Sequence, residues 1–169
     1  MLESGNVRLR ALETEDLELL ARLENDESLW TVSCNSAPYS IGQLRKYIEE
    51  NTHDIYADHQ QRFVIECDGN AAGCIDLTEI DAIQSRAVVG IALLPEFRGR
   101  GAASTALDML CLYARKRLRL HQLAAYVPSD NDPSRNLFVS NGFSHSGTLR
   151  DWLWNCDGYT SVEVYQKIF

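Results

Sequence analysis

Apolar positions along this chain change their period several times, and each change marks an element. Val7-Arg8-Leu9-Arg10 alternates apolar and charged residues, as a half-buried strand does. Thr14 then suits a helix N-cap, with Glu15 and Asp16 placing negative charge in the first turn, and Leu17, Leu20, Ala21 and Leu23 give a helical stripe to about Asn25. From Asp26 to Tyr39 the period is lost although Trp30, Val32 and Cys34 are apolar, which predicts a loop that could line a pocket. Ser40-Ile41-Gly42-Gln43 is a capping box that opens a second helix, with Tyr39 and Leu44 placed as a hydrophobic staple and Leu44, Tyr47 and Ile48 as its inner face. A polar stretch from Asn51 to Gln60 follows.

The pattern next becomes that of a meander. Gln61 to Cys67 reads as a strand and Asp68-Gly69-Asn70 as a tight turn. Ala72 to Leu77 returns, with Glu79-Ile80-Asp81 continuing it, and Ser85 to Leu94 is a third strand, nearly all apolar and therefore central. Past a short glycine-rich loop, Ala103, Leu107, Leu110, Cys111 and Ala114 fall at helical intervals, closed by Arg115, Lys116 and Arg117 at the negative end of the dipole. Leu123 to Val127 is a short buried strand, and Asn131-Asp132-Pro133 opens a helix lined by Leu137 and Phe138 and stopped by Asn141-Gly142. Phe143 to Trp154 and Tyr159 to Phe169 are two strands joined by the turn Asn155-Cys156-Asp157-Gly158. The strand-helix-strand passage into Leu123 requires a parallel crossover beside the central strand. The pattern therefore predicts an α/β (α+β) fold with a mixed, mostly antiparallel sheet of about seven strands flanked by helices.

Composition narrows the function classes. A length of 169 residues suits one domain spanning 1–169, with enough chain for a real core. The formal charge of -8 argues against a nucleic-acid surface and suits a cationic small substrate, although net negative charge also serves solubility. The start of the chain lacks a cationic segment followed by an apolar core, and no run approaches a membrane span, so a soluble cytoplasmic protein without a membrane partner is expected. Five cysteines without a C-x-x-C pair indicate neither a disulfide framework nor a zinc site and read as buried free thiols. The four histidines show no metal-ligand spacing, so no metal is expected.

The chemistry concentrates in Leu93-Leu94-Pro95-Glu96-Phe97-Arg98-Gly99-Arg100-Gly101-Ala102-Ala103, between the central strand and a helix. Gly99 and Gly101 let a ligand approach the backbone, and the helix start offers unpaired N–H groups and positive potential to an anion. An ordinary strand-to-helix turn that needs glycine would read the same way. The spacing Arg98-x-x-Gly101-x-Ala103 resembles the pyrophosphate loop of the GCN5-related N-acetyltransferases. Asn131 to Phe138 followed by Asn141-Gly142-Phe143 is similar to that superfamily's second cofactor motif, and the element order resembles its whole fold.

That resemblance implies acetyl-coenzyme A as cosubstrate and two parallel central strands that splay apart. The pyrophosphate would be held by Arg98, Gly99, Arg100, Gly101, Ala102, Ala103 and Ser104, and the pantetheine arm by backbone near Ile91, Ala92 and Leu93 and by Asn131, Ser134 and Asn136. More narrowly, Val7 to Arg10, Arg62 to Gly69, Ala72-Gly73, Glu79-Ile80 and Leu94 to Phe97 look like the spermidine/diamine branch. This implies acetyl transfer to a primary amine by direct attack, with Glu79 lining the amine site and Asp76, three residues earlier, expected to face the other way. Two departures stand out: Phe138 occupies the position of the family's proton-donating tyrosine, and Asn35-Ser36-Ala37 replaces paired acids before Pro38-Tyr39. A protein N-terminal acetyltransferase of the ribosomal-protein type, or a weakly active acetyl-CoA-binding module, are the alternatives. Trp152 and Trp154 would wall the amine pocket or simply pack, and the branch resemblance makes a homo-oligomer possible.

Overall fold

The computed structural model describes residues 1–33, 37–50, 54–155 and 157–169. Cys34, Asn35, Ser36, His53, Cys156 and the first residues of the 51–60 stretch lie outside the described residues. All eight strands join one sheet. The strands β1 (Glu3–Ser4), β2 (Val7–Arg10), β3 (Gln61–Cys67), β4 (Asn70–Asp81), β5 (Arg86–Leu93), β6 (Gln122–Pro128), β7 (Ser144–Asn155) and β8 (Gly158–Ile168) lie in the order β1-β2-β3-β4-β5-β6-β8-β7. Every neighbouring pair is antiparallel except β5 with β6. The eighth strand is β1, whose two residues are too few to show any period. β3 and β4 are joined by the expected two-residue turn, with Asp68 at φ 51° and Gly69 at φ 76° between the paired Cys67 and Asn70.

Alternation sends the two sets of strand side chains to two helical layers. Phe63, Ile65, Ile75, Leu77, Val89, Leu123 and Val127 pack under α4 (Ala102–Lys116) with Ala106, Leu107 and Leu110. Val64 and Cys74 face the other way, under Leu20 of α1 (Leu17–Glu24) and Leu44 of α3 (Ile41–Glu49). The α3 capping box forms as expected: the Ser40 hydroxyl accepts from the Gln43 amide at 3.2 Å and Gln43 accepts from the Ser40 amide at 2.8 Å. A fifth helix, α5 (Asp132–Ser140), follows β6 on the α4 side of the sheet. Among the described residues no helix is long and apolar enough to cross a membrane.

Two local expectations are corrected. The first helix is not capped by Thr14, which lies inside a 3-10 turn over Thr14–Asp16; the cap is Glu13, whose amide donates to Asp16 Oδ2 at 2.9 Å. Asp16 is drawn inward because Arg10 grips both its oxygens, at 2.7 and 2.8 Å. The segment expected to be a loop after Asp26 holds a further helix, α2 (Glu27–Ser33). Its seven residues make fewer than two turns, so no apolar period could repeat. It is fixed instead by local polar bonds: Asp26 accepts from the Ser28 amide at 3.0 Å, and Trp30 Nε1 donates to the Glu24 carbonyl at 2.9 Å.

Candidate active site

The parallel ladder between β5 and β6 runs through Arg86↔Gln122, Ala87↔Leu123 and Val88↔Ala124 and then stops, although both strands continue, to Leu93 and Pro128. A wedge-shaped gap therefore opens in the middle of the sheet. The Leu94 amide donates back to Ala72 on the β4 side at 2.9 Å, so strand alternation turns the backbone groups of Ile91 and Leu93 toward the gap. Gly73 reinforces this geometry. A Cβ on it would lie 2.1 Å from the Ala92 carbonyl oxygen, so only glycine lets β5 press this close to β4.

The glycine loop sits at the wide end of the gap. Gly99 and Gly101 have φ of 74° and 80°, and neither has a heavy atom within 4 Å of where a Cβ would stand. The left-handed backbone, rather than crowding, calls for glycine at both. Gly101 is the N-cap of α4, so the amides of Ala102, Ala103 and Ser104 form the open end of a 15-residue helix. Arg98 turns back on the strand, with Nε donating to the Leu93 carbonyl at 2.9 Å, while Arg100 is exposed. This arrangement can hold an anion by backbone donors and helix potential together.

Across the gap, Asn131 caps α5 by accepting from the Ser134 amide at 3.1 Å, Ser134 is half-buried and Asn136 is exposed. Phe138 is buried, its ring edge-to-face with Phe143 at 5.1 Å. Asn141, read in the sequence only as a helix stop, is a buried junction: it accepts from Ser104 Oγ at 3.1 Å, donates to the Leu137 carbonyl at 2.7 Å, and its own carbonyl accepts from Lys167 Nζ at 2.7 Å. It thereby fixes the start of α4 against α5 and β8. Nothing in the local pattern distinguishes this asparagine from an ordinary helix end.

On the opposite face of the sheet a cavity of about 670 Å³ lies over the paired part of the β5–β6 ladder and reaches its last pair, lined in part by Glu79, Asp81, Arg86, Val88, Ala124 and Tyr126. β4 carries one extra residue between the pairs Thr78↔Val88 and Asp81↔Arg86, and Glu79 adopts φ 49° in that bulge. The bulge corrects the expectation for Asp76. Asp76 pairs with Gly90 and shares the face of Val88, so three-residue spacing does not place it opposite Glu79. What separates the two acids is their bonding. Asp76 is held by Arg62 at 2.8 and 2.9 Å, and Arg62 also reaches Glu24 at 2.8 Å and lies over the Tyr47 ring at 5.4 Å. Asp81 pairs with Arg86 at 3.5 Å, whereas Glu79 has no ion pair among the described residues. Trp152 and Trp154 are 62% exposed and outside the cavity lining, and Trp154 packs edge-to-face on Tyr159 at 5.1 Å across the hairpin.

A parallel ladder that stops short and a glycine loop at a helix start suit a long phosphorylated cofactor. Residues 6–144 match the acetyltransferase (GNAT) domain, and the chain belongs to that family. It is 32% identical over 149 residues to the spermidine N(1)-acetyltransferase of Escherichia coli (strain K12), a match covering 88% of this chain and 78% of that one. It is also 24% identical over 168 residues to the ribosomal-protein-serine acetyltransferase of the same strain, covering 92% and 94%. Among solved structures, a spermidine N-acetyltransferase from Vibrio cholerae in complex with CoA and spermine superposes with a TM-score of 0.87 at 26% identity, covering 96% and 95% of the two chains. The protein is an acetyl-CoA-dependent N-acetyltransferase with acetyl-CoA as its cosubstrate. The amide row at Gly99 to Ser104 has the donors a pyrophosphate needs, and the unpaired strand edge has those an amide-bearing arm needs.

Proposed function

We propose that this enzyme acetylates a primary amine, foremost a polyamine or diamine such as spermidine, by direct attack of the amine on the acetyl thioester. Glu79 is the observation that carries the reading, as a cavity carboxylate without an ion pair among the described residues, near the point where the central strands part. A carboxylate there holds an ammonium and, through a water, accepts its proton before attack. Gly99, Arg100, Gly101, Ala102, Ala103 and Ser104 take the pyrophosphate, with Arg98 and Arg100 adding positive charge. The pantetheine arm runs between Ile91, Ala92 and Leu93 on one side and Asn131, Ser134 and Asn136 on the other, with a β5 amide polarising the thioester carbonyl. Cysteine nucleophiles are not needed. Burial pushes the Cys74 thiol up to about 12 and the Cys111 thiol up to about 11, which leaves both protonated at neutral pH.

The relatives that act on spermidine support the polyamine, and the ribosomal-protein relative favours a second reading in which the acceptor is a protein amino terminus. Thiol release from acetyl-CoA separates them when followed with spermidine, spermine, a diamine, an aminoglycoside and short peptides with free amino termini. The first reading expects a polyamine or diamine to give the highest kcat/KM. A peptide in that place transfers the acceptor to the second reading. Binding of acetyl-CoA without thiol release in the presence of any of these amines would overturn both.

A further inference from the structure

Resting on that acetyl-transfer reading, we infer that Tyr126 is the group that protonates the departing coenzyme A thiolate. In the transfer step the amine nitrogen bonds to the acetyl carbon and the carbon–sulfur bond breaks, leaving its electron pair on sulfur. The sulfur gains a proton and the nitrogen loses one, so a hydroxyl at the junction can give its proton to sulfur and regain one from the acetylated nitrogen through water.

On the α5 side of the gap no such donor stands at Phe138, a phenyl ring packed against a second phenyl ring at Phe143. The cavity side has one. Beyond the last ladder pair, Val88↔Ala124, the two splayed segments are Val89 to Leu93 and Ala125 to Pro128, and Tyr126 is the single ionisable side chain in either. Alternation buries Ala125 and Val127 under α4 and turns Tyr126 to the opposite face, where it lines the cavity together with Glu79 and is 44% exposed. Two residues past Ala124, at about 3.3 Å per residue, it stands level with Gly90, one residue before Ile91, whose backbone edge faces the gap. Its cross-strand partner is Val164, and among the described residues its hydroxyl bonds to no protein group. The phenol is therefore free to meet a ligand at the place where the gap and the cavity join.

Replacing Tyr126 by Phe tests this with the full chain, because it keeps the ring and removes only the hydroxyl of a residue that is partly exposed. General-acid help is typically worth ~100-fold or more, and a thiolate is a good leaving group, so the expected result is a fall in kcat of at least about tenfold. Acetyl-CoA affinity by calorimetry and KM for the amine should stay within about twofold. An unchanged kcat, or a loss confined to the amine KM, overturns the assignment while leaving acetyl transfer intact. A wild-type enzyme that acetylates no amine overturns the reading on which it rests.

Discussion

Arg10 and Asp16 show how single side chains set this structure's tolerances. Asp16 is 4% exposed, and Arg10 binds it through two nitrogens while also reaching Glu66 at 2.9 Å. Burial raises the Asp16 carboxyl, but the hydrogen bonds from Arg10 and from the Glu13 amide outweigh it and hold the group below the usual carboxylate range. A carboxylate depressed in the folded state contributes stability that is fully present above its ordinary value of about 3.9 and is lost as pH falls through the folded value. The urea midpoint should therefore drop as pH is lowered from 5 toward 3, and Asp16→Asn, less stable at pH 7, should show a smaller drop over that interval. Much of this scale was hidden in the sequence. Arg10 and Asp16 are six residues apart but meet through a turn whose cap reads one residue too late, and Gly73 reads as an ordinary strand residue. A glycine inside a strand is a known mark of close backbone approach, and it was the available signal for the pressure of Ala92 on β4.

Arg62 is the comparable joint between elements, since it ties β3 to Asp76 on β4, to Glu24 at the end of α1 and to the Tyr47 ring on α3. Burial opposes its charge, but Asp76 more than compensates and the guanidinium is held firmly protonated. Removing one member of such a buried group leaves the others charged and uncompensated, at a cost of ~3–5 kcal/mol. Arg62→Met should lower unfolding free energy by about 3 kcal/mol in urea titration. Replacing Arg62, Asp76 and Glu24 together by apolar residues should recover most of that loss. Elements with a period or a cap were legible, as the α3 capping box, the α4 stripe and the β3–β4 turn show. The short ones were not: β1 and α2 hold two and seven residues, too few for a pattern, and α2 owes its place to Asp26 and to the Trp30 bond with Glu24.

At the scale of the whole molecule, the proposed function divides donor and acceptor between the two faces of the sheet. The α4 side carries the glycine loop and the amide row, and the other face carries the cavity with Glu79. The glycine loop was readable as a candidate because it is local: its glycines, arginines and helix start are contiguous in the chain. The cavity proposed for the acceptor is assembled from a β4 bulge and from β5, β6 and β8, and a positive-φ glutamate in a bulge leaves no mark in hydropathy. Resemblance alone pointed to Glu79, and the structure adds that it lines the cavity from the β4 bulge. The central claim is that Glu79 receives the acceptor amine, and steady-state kinetics of Glu79→Gln with spermidine and acetyl-CoA tests it most directly. The account predicts a fall in kcat/KM for spermidine of about 100-fold, the size expected for losing a general base, with acetyl-CoA affinity within about twofold of wild type. An unchanged kcat/KM for spermidine would contradict it.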